Sequence, residues 1–186
     1  EPNLAKLLCG SEGTLAVTTE LTFDLVEKPA TTGLGVVHFA SRNEALRAVT
    51  TVLDTDPSAV ELFDGVAIER TLQTPGYAER LTFLEGTPGG VLITEYFGDS
   101  DAEIADRLDA LEQKMADANR GYTTVRVTEP DAIKNVWSIR KEGLGLLMGV
   151  EGDYKPWAFI EDASVPVDNL AAYIDELSTF VDATDT

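Results

Sequence analysis

Apolar positions along this chain alternate between two periods, and the alternation sets out a short series of elements. Leu34-Gly-Val-Val-His-Phe-Ala40, Ser58-Ala-Val-Glu-Leu-Phe63, Gly90-Val-Leu-Ile-Thr-Glu-Tyr-Phe97 and Tyr122-Thr-Thr-Val-Arg-Val-Thr128 read as β-strands. Between the first two, Ser41 stands at an N-cap position with Glu44 three residues on. Ala45, Leu46, Val49 and Leu53 follow at helical spacing. Ser100 opens a second helix through Ile104, Leu108, Leu111 and Met115. Asp64-Gly65 ends the second strand, Val66 to Leu72 predicts a short helix before Pro75-Gly76, and the remainder of 73–90 reads as an irregular excursion. The order from Leu34 to Thr128 is β-α-β-β-α-β. It predicts an α+β, ferredoxin-like fold, an antiparallel sheet with helices on one face.

The flanks extend this unit. Residues 130–148 read as a helix and 156–165 as extended chain. Residues 167–180 form a closing amphipathic helix with Leu170, Tyr173, Ile174 and Leu177 inward. Upstream, Leu15-Ala-Val-Thr-Thr and Leu21-Thr-Phe-Asp-Leu-Val26 alternate well enough to predict extended structure that Pro29 ends, a sheet remnant of a preceding domain. The boundary falls in Ala30-Thr-Thr-Gly33, giving two units, 1–29 and 30–186. The chain starts on Glu rather than Met, and it reads as cut from a longer one, its second unit truncated at the C-terminal end.

Ahead of that alternating stretch lies Gly10-Ser11-Glu12-Gly13-Thr14. Its glycines carry no Cβ and can take positive φ, so backbone N–H groups there can approach a ligand closely. Taken alone, the pattern is also that of a hairpin turn with no ligand.

Composition narrows the functional classes. The 186 residues are 44% hydrophobic, enough for a real core, and 33 acidic against 14 basic residues give a formal charge of −19. Such a balance argues against nucleic acid and against anionic lipid. With the acid spread out and Lys scarce, it also suggests a halophilic surface, adapted to screening at high salt. The lone cysteine, Cys9, excludes an internal disulfide and a cysteine-built zinc or iron–sulfur site, and reads as a small buried filler. No apolar run reaches the length of a membrane span and no signal peptide opens the chain, so a cytoplasmic protein is expected. His38 is the single histidine, placed mid-strand with no second one to complete a metal site, and reads as a packed strand residue.

Three stretches taken together resemble one family. Gly10 to Pro29 (GSEGTLAVTTELTFDLVEKP), Trp137 to Gly149 (WSIRKEGLGLLMG) and Lys155 to Pro166 (KPWAFIEDASVP) are similar, in order, to segments of FAD-linked oxidases of the vanillyl-alcohol-oxidase type. They look closest to the D-2-hydroxyacid dehydrogenase branch in which the flavoprotein is fused to an iron–sulfur module. The resemblance implies that 1–29 ends an FAD-binding domain and that 30–186 is the substrate or cap domain. It implies FAD contact by Gly10, Ser11, Glu12, Gly13, Thr14, Leu15, Ala16 and Val17, with Ala16 departing from the family's usual Gly. It implies a 2-hydroxy acid of the lactate, glycolate or 2-hydroxyglutarate class, its carboxylate held by Arg140 and its hydride passed to flavin. An electron-acceptor module or protein would follow, with an iron–sulfur cluster in the parent but none in this chain. A peripheral position at the inner membrane face and a homo-oligomer stay open.

Chemistry suits the Arg140 assignment, because a planar guanidinium forks onto a carboxylate, while Val136, Trp137 and Arg140 occupy adjoining helix faces. The alternative is a surface Arg paired with Glu142 or Glu161. Relatives that take hydroxydiacids add a Thr four residues after that Arg and a Lys two before the later Asp, where this chain has Leu144 and Ile160. Lys155 is the substitute candidate, against a solvated Lys. Glu161 and Asp162 point to opposite strand faces and do not share a site easily, while Glu61 and Asp64 read as strand-end and cap residues. The catalytic base is unknown; in the family it lies in a histidine-rich stretch beyond the last strand named here. Two other readings remain: a non-catalytic ferredoxin-like docking or oligomerisation module, and an oxidase of alcohols without a carboxylate.

Overall fold

The computed structural model describes residues 3–149, 152–153, 160 and 163–184, with 144, 146 and 147 described by backbone alone. Its elements run α1 (Leu4–Leu8), β1 (Thr31–Phe39), α2 (Arg42–Leu53), β2 (Ala59–Asp64), α3 (Gly65–Gln73), β3 (Gly90–Gly98), α4 (Asp101–Asp117), β4 (Thr123–Val127), α5 (Pro130–Met148) and α6 (Leu170–Asp182). The four strands form one sheet in the order β2-β3-β1-β4, and all three pairings are antiparallel. That is the ferredoxin-like order the alternation predicts, with α3 and a 3-10 turn at Ala78–Arg80 inserted between β2 and β3.

Local chemistry starts the helices where the sequence places them. Ser41 Oγ accepts from Glu44 N–H at 3.2 Å, while the Glu44 carboxylate reaches back to Ala40 N–H at 3.1 Å. Ser100 Oγ accepts from Glu103 N–H, and Asp64 Oδ1 from Ala67 N–H at 2.9 Å, so Asp64 is the cap it reads as. The strand boundary moves, however. β1 begins at Thr31, so the small polar stretch read as a linker is already sheet, its Thr31 opposite Gly98.

The expected helices do lie on one face, where α2 and α4 pack Ala45, Ala48, Val49, Val52, Ile104, Leu108, Leu111 and Met115 against Val37, Phe39, Leu92 and Tyr96. Contact there is close because β1 presents glycine: a Cβ on Gly35 would overlap Leu111 Cδ2. The other face is not left open. Leu34, Val36, Val91, Ile93 and Val127 meet Ile68 of α3, Leu81 and Phe83 of the excursion, and Val136 and Ile139 of α5. A stretch predicted irregular is thus irregular in backbone but anchored by two buried side chains. α6 packs its half-buried Leu170, Tyr173, Ile174 and Leu177 side toward α2, and its Asp175 pairs with Arg47 at 3.0 Å.

Residues 15–29 pair with none of the four strands, and their apolar side chains are bare, Leu25 at 91% and Val26 at 94% exposure. Alternation supplies a face, but a strand also needs a neighbour for its N–H and C=O groups, and none of the four strands offers this segment one. Cys9 is exposed rather than buried, because the short helix that precedes it buries no residue against the domain. The predicted extended stretch 156–165 lies mostly outside the described residues.

Candidate functional site

Helix α5 brings the functional candidates together. Val136 and Ile139 turn into the core, so Trp137 and Arg140, one turn apart, are carried over the β2–β3 edge of the sheet. Arg140 Nε donates to Glu61 Oε2 at 2.9 Å, with both side chains about two-fifths exposed. Trp137 Nε1 donates to Glu95 Oε1 at 3.0 Å. Burial pushes the Glu95 carboxyl above its ordinary range, and the indole N–H offsets part of that. Arg140 therefore has neither predicted alternative for a described partner: Glu142 belongs to another arginine, and Glu161 lies outside the described residues.

The Glu61 contact uses Nε alone. Among the described residues no partner engages the two terminal nitrogens of Arg140, and these form the end-on fork that fits a carboxylate bidentately. A half-exposed ion pair of this kind is worth no more than about 1 kcal/mol, so Glu61 holds the guanidinium without using it up.

On its opposite flank α5 is fixed by Arg80. This guanidinium donates to Asn135 Oδ1 at 3.3 Å, to Ser138 Oγ, and to Glu142 Oε2 at 2.9 Å, and its carbonyl accepts from Asn135 Nδ2 at 2.6 Å. The Tyr77 ring lies 4.9 Å beneath it. The Arg80 hydrogen bond, joined by one from Tyr77, holds the Glu142 carboxyl below its usual range, and the same carboxylate raises the Tyr77 phenol. Residues 135, 138 and 142 span two turns, so one side chain sets the rotation of the segment that carries Trp137 and Arg140.

The glycine turn stands apart from this cluster. Gly10 and Gly13 do adopt positive φ, +79° and +77°, with Glu12 at +49°, and no atom lies within 4 Å of where a Cβ would sit on either glycine. Ser11 and Thr14 N–H groups close the turn internally, on Leu8 and Ser11 carbonyls. Residues 12–17 are otherwise exposed, with small side chains and backbone at the surface. Lys155, Glu161 and Asp162 lie outside the described residues. His38 is fully buried: its Nδ1 donates to Val36 O at 2.9 Å and its Nε2 accepts from Glu85 N–H at 3.1 Å, so this histidine is a structural one. Among the described residues no group of acidic, His and Cys side chains forms a metal cluster, and no helix is long and apolar enough to cross a membrane.

Glu61, Glu95 and Arg80 are the site residues that sequence reasoning missed as such. Their partners are 79, 42 and 55–62 positions away, with no local pattern linking them.

Sheet order, helices and the α5 flank define a ferredoxin-like domain of the cap type. The chain belongs to the family described as FAD linked oxidases, C-terminal domain, whose model matches residues 28–186. It is similar to a D-2-hydroxyglutarate dehydrogenase of Pseudomonas putida, 28% identical over 97% of this chain and 18% of the relative. The same is true of one from Escherichia coli, 30% identical over 98% of this chain and 19% of the relative. A mitochondrial D-lactate dehydrogenase [cytochrome] of Arabidopsis thaliana is 31% identical over 97% of this chain and 30% of its own length. The chain therefore spans under a third of the curated relatives it matches.

Proposed function

We propose that this chain is the substrate-side part of a flavin-dependent 2-hydroxy-acid dehydrogenase, with residues 1–29 closing the FAD-binding domain and 30–186 forming the cap. The observation that carries the reading is the Arg140 guanidinium: tied to Glu61 through Nε, it keeps its terminal fork for a carboxylate. In this reading Arg140 holds the acid's carboxylate and Trp137 walls the site, with Lys155 as a second cation. Gly10 to Val17 fit a flavin in chemistry, since two glycines at positive φ in an exposed segment give a ligand close access, with open space where their side chains would stand. Bound FAD would accept the hydride, and an iron–sulfur module or partner protein would take the electrons onward. The −19 charge fits a salt-rich cytoplasm.

The test uses the full-length gene product. Under anaerobic conditions lactate, glycolate or 2-hydroxyglutarate should bleach its flavin, and Arg140→Gln should raise KM about tenfold to a hundredfold with a smaller loss in kcat. Equal bleaching by alcohols without a carboxylate, or an unchanged KM in the variant, would favour the alcohol-oxidase reading. A product that binds no flavin would favour a docking module.

A further inference from the structure

Two carboxylates, rather than one, lie on the sheet face beneath the Trp137–Arg140 stretch of α5. Glu61 pairs across the sheet with Ile93, and Glu95 lies two residues further along β3, so both project from the same face as diagonal neighbours. Such positions lie roughly 7–8 Å apart by backbone, with side chains closer. Helix α5 reaches both, Arg140 to Glu61 and Trp137 to Glu95.

Among the described residues the cations around them are few. Arg80 is committed to Glu142 on the far flank of the helix, while Lys134 and Lys141 lie on the outward side of α5, exposed and without an ion-pair partner among the described residues. Among the described residues Arg140 thus pairs with Glu61, while Glu95 is met by the Trp137 indole N–H and by no cation.

We infer that Glu61 and Glu95 make this site selective for 2-hydroxy acids with a single carboxylate and turn away those with a second. The inference rests on Arg140 being the carboxylate anchor. A first carboxylate forks onto the terminal nitrogens of Arg140 and is compensated there. A second one, two or three carbons along the same small molecule, stays within about 5–6 Å of the first and so falls beside Glu61 or Glu95. At that range like charges repel strongly in a partly desolvated site. Lys141, exposed on the outer side of α5, does not cancel a charge held beneath Trp137. The selection is by repulsion, which needs no pocket shaped against the larger acid.

The experiment compares kcat/KM of the full-length gene product for lactate and glycolate against 2-hydroxyglutarate, both enantiomers of each chiral acid, with a dye as electron acceptor. Wild type should prefer the monocarboxylates by about tenfold or more, equivalent to about 1.4 kcal/mol. Glu61→Gln and Glu95→Gln keep acceptors for Arg140 and Trp137. The double variant should bring the preference below about threefold, chiefly through a lower KM for the dicarboxylate. Chemical unfolding of the same variants checks that they remain folded. A wild type that prefers 2-hydroxyglutarate, above all one that loses that preference in Lys141→Ala, overturns the inference and leaves the proposed function standing. So does a ratio that the two Gln variants do not move. No turnover of any 2-hydroxy acid sinks the proposed function, and the inference falls with it.

Discussion

The two faces of the sheet are built by different rules. Toward α2 and α4 the contact is closed and almost wholly apolar, drawn tight by glycines on β1. Toward α3 and α5 an apolar centre is ringed by His38, Arg80, Glu95 and the Glu61–Arg140 pair. The first face holds the sheet together. The second uses that rigidity to aim polar groups, which is where binding chemistry belongs.

If the closed face carries the stability, crowding it should do the most damage. Gly35→Val pushes a branched side chain into Leu111 and Leu108, and should cost about 3 kcal/mol in urea unfolding. The contact itself can be isolated, because Leu111→Ala opens the space that a residue at 35 needs. Gly35→Ala should then be markedly less harmful in the Leu111→Ala background than in the parent protein, and strictly additive effects would show that the close approach does not govern this face.

The closed face is also the part that the sequence reveals best. Ser41 and Ser100 announce their helices through bonds spanning three residues, and Ile104, Leu108, Leu111 and Met115 repeat at the helical period that buries them. The aiming face is legible only in part. Arg140 stands out because its residue type and its neighbours suit a carboxylate, but Glu61 reads as an ordinary strand residue until the fold brings it under a helix 79 positions away. The segment 15–26 marks the other limit of local patterns. Its alternation is local and real, yet strand pairing is a non-local property, and no partner strand is present among the described residues.

His38 gives the aiming face a pH dependence below neutrality. Burial lowers its imidazole from the ordinary 6.5, and the ring is held neutral by donating to Val36 and accepting from Glu85 N–H. Glu85, whose carboxylate bonds Thr123, and the nearby Tyr122 are the titratable groups around it. Below about pH 6.5 the unfolded chain takes up a proton that native His38 refuses. Stability from this residue is thus complete above that pH and declines as pH falls toward the folded value, by at most about 1.4 kcal/mol per unit. In urea melts at pH 7.5 and 5.5, the wild type should lose more stability than His38→Gln over the same interval. Equal losses would remove the histidine from the account.

The finest test sets against each other the two arginines that flank or belong to α5, Arg80 of the Ala78–Arg80 turn and Arg140 of the helix itself. Arg80 makes three side-chain bonds along two turns, and Arg140 makes one to a half-exposed carboxylate. Arg80→Gln should lower the urea midpoint clearly, since it strands Glu142 and releases the helix from the Ala78–Arg80 turn. Arg140→Gln should leave folding within about 1 kcal/mol of the parent, as expected for a single exposed pair. A residue that contributes little to folding while its fork has no partner among the described residues is spared for another task. If instead Arg140→Gln unfolds the domain as readily as Arg80→Gln, the Glu61 pair is structural, and the division of labour between the two flanks of α5 disappears.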